Sequence, residues 1–135
     1  MANRCIRCLP IFLLALVLPL ATLAAGSSDA ASKQAQTASA HAGMALAAKD
    51  LKVAHMHLHH VINCLVGPAS KAFDASQADP CKGMGQGALV DARGDVVTEA
   101  RLHTALMDAE RGVTATTLDD AHADAQKVLT TLQQK

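Results

Sequence analysis

The stretch Lys49–Val66 reads KDLKVAHMHLHHVINCLV, with apolar side chains at Leu51, Ala54, Leu58, Val61, Ile62 and Leu65. Steps of three and four put these residues on one side of a helix, and the Gly67-Pro68 pair that follows ends it. Upstream, Ser32–Ala47 is Ala-rich and free of Pro, which suits another helix. Downstream, Asp95–Arg111 carries Val96, Leu102, Leu106 and Ala109 along one stripe, with a turn expected at Gly112. Leu118–Leu132 then presents Leu118, Ala121, Ala125, Val128 and Leu132 in the same way.

A shift of 67 residues lays one half of the chain on the other. It puts Leu51 on Leu118, Ala54-His55 on Ala121-His122, Val61 on Val128 and Leu65 on Leu132, and also Ala42 on Ala109 and Leu46 on Val113. Each half reads as one helical hairpin, and a lone hairpin cannot bury its apolar stripe. The expected fold is all-α, an antiparallel four-helix bundle of two related hairpins. Leu51, Leu58, Leu65, Leu102, Leu106, Leu118 and Leu132 are expected inside. The segment 67–91 is too long for an ordinary helix–helix connection of about 2–8 residues, and it holds Pro68, Pro80, Gly83, Gly85 and Gly87. It reads as a Gly/Pro-rich central loop. The run Gly83–Gly87 has neither a preceding strand nor a following Lys-Ser/Thr, so it is not a nucleotide loop.

The first 25 residues have the order of a secretory signal peptide: Arg4 and Arg7, an apolar run from Leu9 to Leu23, then small residues. The remaining 26–135 form one domain, with 26–31 as a flexible start. The chain has 12 basic and 12 acidic residues, and the leader takes two of the basic ones. Such a balance excludes binding of nucleic acid by phosphate neutralisation, and an aromatic content of 1% excludes stacking platforms. Cys64 and Cys81 are the two cysteines beyond the leader. In an exported protein such a pair reads as a disulfide, here stapling the central loop and contributing about 3 kcal/mol by loop closure. The expected location is periplasmic or secreted, with no membrane association once the leader is removed.

Four of the seven His lie in the run His55-Met56-His57-Leu58-His59-His60. Neutral imidazole is a good ligand for copper, nickel and zinc. With Leu58 as the core direction and about 100° per residue, His55 and His59 stack on one flank at about 60° and 100°. His57 falls on the opposite flank, and His60 near solvent. On the third helix Glu99, His103 and Glu110 share the first flank, and on the fourth His122 stands where His55 does. The first helix offers His41 and Met44, and Met44, Met56 and Met107 have thioethers suited to Cu(I). His55, His59, His122 and His103 are therefore the candidate metal ligands.

The paired Ala54-His55 and Ala121-His122, each early in the second helix of a hairpin, resemble the bacterial periplasmic small metal-binding protein family. The resemblance covers the two helical halves and not the central loop, and this chain carries fewer His. It implies a His-bearing four-helix bundle that binds divalent metals, notably copper, with His55 and His122 as ligands. The expected function is metal binding or buffering outside the cytoplasm, with metal ions as partners and no catalytic activity. HExxH and Ser or Cys nucleophile motifs are missing, as is the CxxCH of covalent haem, and no haem is expected. The alternative is a structural or partner-binding envelope protein with no metal site, whose protein partner the sequence does not name.

Overall fold

The computed structural model describes residues 24–134, and these are all-helical. Helix α1 is Ala24–Ala47, α2 Leu51–Val66, α3 Ala88–Asp91, α4 Val96–Val113 and α5 Leu118–Gln133. Thus α1 covers 26–31, where the composition suggests a flexible start, and the one-turn α3 lies inside the segment read as loop. The leader expected over residues 1–25 lies outside the described residues, apart from Ala24 and Ala25.

Each long helix after α1 starts on a side chain that accepts a hydrogen bond from an otherwise unpaired backbone N–H. Asp50 accepts from the Val53 N–H at 2.9 Å, Asp95 from Thr98 at 3.1 Å and Thr117 from Asp120 at 3.1 Å. Asp50 and Thr117 are one 67-residue shift apart, and α2 and α5 are both 16 residues long. Burial repeats with the same shift. Ala42 and Ala109, Ala54 and Ala121, and Val61 and Val128 are all fully buried, while Leu51 and Leu118 are half-buried against the core.

Helix α1 packs on α2 and α5, and α4 packs on α5 and α2, so the four long helices close a ring of contacts. Along α1 the buried face is Ala31, Ala35, Ala38, Ala42 and Ala45, at alternating steps of four and three. Methyl-only side chains let neighbouring backbones approach closely but each adds little apolar area. The bulk comes from Leu58, Leu65, Leu102, Val61 and Val128, all fully buried, with Leu132 at one edge. Leu106 and Phe73 pack on this core from its margin. Gly112 is not a turn residue: it lies within α4 and is buried. A Cβ there would stand 2.7 Å from Leu58 Cδ1, so the missing side chain makes room for Leu58.

The central segment is tied to the bundle at several points. The Cys64–Cys81 disulfide joins the end of α2 to it, with the two Cα atoms 5.2 Å apart. The buried Asn63 side chain donates to the carbonyls of Asp74 and Ala78 and accepts from the Asp74 N–H. From α1, the buried Gln34 accepts from the Gly87 N–H at 2.9 Å and donates to Asp91 at 2.6 Å. The segment also closes on itself. Gly67 and Gly87 both have positive φ, and a Cβ on Gly67 would lie 1.8 Å from the Gln86 carbonyl oxygen.

Candidate metal centre

Helix α1 presents His41 toward α2, and α2 presents His57 and His60, three residues apart and so on neighbouring positions of one face. The Nδ1 atoms of His41 and His57 are 3.2 Å apart, and those of His41 and His60 are 3.3 Å apart. Ligating atoms of all three lie within 4.8 Å of one another. His60 is 8% exposed, whereas His41 and His57 are half-buried, so the cluster sits at the edge of the core with one side open.

Spacing decides what such a cluster can do. Two nitrogens bound to one tetrahedral ion at 2.0–2.1 Å stand about 3.3 Å apart. The His41–His57 and His41–His60 separations have this size before any ion is placed. Three imidazoles facing each other also disfavour protonation. Burial lowers the pKa of His41, His57 and His60 below the ordinary imidazole value. His60 and His57 push His41 further down, and His57 and His59 do the same to His60. Neutral rings are the form that binds metal. A three-His set leaves a fourth position for water or another ligand.

The four residues favoured by helical-wheel geometry lie elsewhere. His55 and His59 line an open groove beside Met56, Lys52 and Gln77. The His55 Nε2 atom is buried without a hydrogen-bond partner, and His59 Nδ1 is 3.7 Å from an Asp74 carboxylate oxygen. His122 Nε2 lies 3.1 Å from the Ala48 carbonyl oxygen, so it carries the proton and caps the end of α1. His103 is exposed on α4. None of these four belongs to the group of three or more that can hold an ion, which among the described residues is His41, His57 and His60.

A helical wheel with Leu58 as its only core direction puts His60 near solvent. In the fold, α1 covers the side of α2 that carries His57 and His60. The central segment also wraps the end of α2, where every residue from His60 to Val66 is buried. The signal that could have found the triad is the 67-residue shift. His41, His57 and His60 map onto Asp108, Asp124 and Lys127, so the three positions are polar in both halves, although Lys127 is exposed where His60 is buried. No protein-family model matches the chain, and no curated protein or solved structure does either.

Proposed function

We propose that this is an exported small helical-bundle protein that binds or buffers a divalent transition metal, copper, nickel or zinc, through His41, His57 and His60. The observation that carries the reading is the pair of Nδ1–Nδ1 separations of 3.2 and 3.3 Å, the spacing of ligands around one ion. The paired Cys64 and Cys81 support an oxidising compartment. No helix among the described residues is long and apolar enough to cross a membrane. The ring of contacts, the matched helix starts and the matched burial support an antiparallel bundle of two related hairpins. Nothing in this reading assigns the protein catalysis.

Isothermal titration with Cu²⁺, Ni²⁺ and Zn²⁺, on untagged protein, tests the function. Binding of one ion per chain is expected, with affinity falling roughly 10–100-fold or more for His60→Ala or His41→Ala. The pair His55→Ala with His59→Ala should change it by less than about threefold on the same scale. A parent protein that binds no metal refutes the reading and leaves a structural or partner-binding role. A larger loss from the His55 and His59 pair moves the site to the other flank.

A further inference from the structure

The metal site has a counterpart in the other half of the chain, and the counterpart shows a fourth member. Under the 67-residue shift, His41, His57 and His60 correspond to Asp108, Asp124 and Lys127, and Met44 corresponds to Arg111. In the second half these four residues form one connected cluster. Arg111 Nε donates to Asp124 at 2.9 Å, Arg111 Nη2 donates to Asp108, and Lys127 Nζ donates to Asp124 at 2.8 Å. A side chain at the Arg111 position of α4 therefore arches over the flank and reaches the positions equivalent to both His41 and His57.

In the first half, three of the four equivalent residues already converge, and Met44 is the one left over. It is 48% exposed, so filling the interior does not account for it. Along the side chain its thioether sulfur comes one bond before the position of Arg111 Nε, on a stem of the same unbranched kind. The flank that Arg111 crosses to reach Asp108 and Asp124 is, by the same shift, the flank on which His41 and His57 meet. Resting on the metal-binding reading above, we infer that Met44 is the fourth ligand, completing a three-imidazole, one-thioether set that holds Cu(I) as well as Cu²⁺.

The chemical consequence is selectivity. Thioether sulfur is a soft donor that adds to Cu(I) affinity and adds little for Zn²⁺, which prefers imidazole, thiolate or carboxylate. Met84 is the rival thioether, since its sulfur lies 3.6 Å from the Thr37 hydroxyl, one turn of α1 before His41. It comes from the central segment, however, and has no counterpart in the repeat.

The test compares the parent chain with Met44→Leu and Met84→Leu. Cu(I) affinity is read by competition with a chromophoric Cu(I) chelator in ascorbate, and Zn²⁺ affinity by titration. Met44→Leu should lose roughly tenfold or more in Cu(I) affinity and hold Zn²⁺ within about twofold. Met84→Leu should hold both. X-ray absorption of the Cu(I)-loaded parent should show one sulfur neighbour that disappears in Met44→Leu. Unchanged Cu(I) affinity in Met44→Leu overturns the inference, as does an equal loss for Zn²⁺ or a loss that follows Met84 instead. If the parent binds neither ion, the metal reading itself fails; if it binds both with only nitrogen neighbours, the triad stands and Met44 does not.

Discussion

His41, His57 and His60 place three titratable rings where burial lowers the pKa of each, with repulsion from neighbouring rings adding to it at His41 and His60. Their folded-state pKa values lie below the ordinary value of about 6.5, so the unfolded chain takes up protons first as the pH falls. Without metal, their contribution to stability is level above about pH 6.5 and declines below it, until the folded-state values are passed in turn. Urea unfolding in a chelator at pH 7.5 and pH 5 should show this decline. It should be shallower in the His41→Asn, His57→Asn and His60→Asn triple variant, and an identical slope would mean the rings are not held neutral by the fold. Protons and metal compete for the same nitrogens, so the lowered values also let a bound ion persist to more acid pH than on free imidazoles. This part of the molecule was only half legible. The sequence shows the His run and shows His41 on the first helix, but which rings meet depends on which helix covers α2. A wheel drawn on one core residue does not contain that information.

Helix limits and core leucines were far more legible, because caps and periodicity are local. Asp50, Asp95 and Thr117 open their helices within a residue of where the apolar stripes begin. Leu58, Leu65, Leu102 and Leu132 are buried as the three-and-four spacing requires. The central segment was legible in its bridge but not in its amides: nothing local announces that Gln34 and Asn63 turn inward to hold a loop more than ten residues away. Two changes test how that segment is fixed. Replacing Cys64 and Cys81 with Ala removes a bridge with a sequence separation of 17, and should lower unfolding stability by about 3 kcal/mol. Reductant should reproduce the loss in the parent and add nothing in the variant. Gly67→Ala imposes a side chain on a positive φ and on the Gln86 carbonyl, and should cost more than about 1 kcal/mol even with the bridge intact. A neutral Gly67→Ala would show that the two ends of the loop do not press together.

At the scale of the whole molecule, the two halves hold their paired helices together in different ways at one equivalent place. Between α4 and α5 the fastening is ionic: burial alone would raise the Asp124 pKa, but hydrogen bonds from Lys127 and Arg111 outweigh it and hold the carboxyl below the usual carboxylate range. Between α1 and α2 three neutral rings take that place, with a metal ion as the proposed fastening. Copying the second pattern into the first, as His41→Asp, Met44→Arg, His57→Asp and His60→Lys together, tests the equivalence. The fourfold variant should match the metal-free parent within about 1 kcal/mol or exceed it. It should also lose the decline below pH 6.5, because a carboxylate with a depressed pKa gives stability that is level above the ordinary carboxylate value of about 4 and is lost only as the pH falls from there through the depressed one. A chain that fails to fold would show that the two places are not interchangeable. The disulfide, finally, has a consequence for cutting the chain. Lys71 and Lys82 are both exposed, but only Lys71 lies between Cys64 and Cys81. After a tryptic cut at Lys82, denaturant alone should part the two pieces on a gel. After a cut at Lys71 they should migrate together until a reductant is added, because that nick opens the backbone without dividing the molecule.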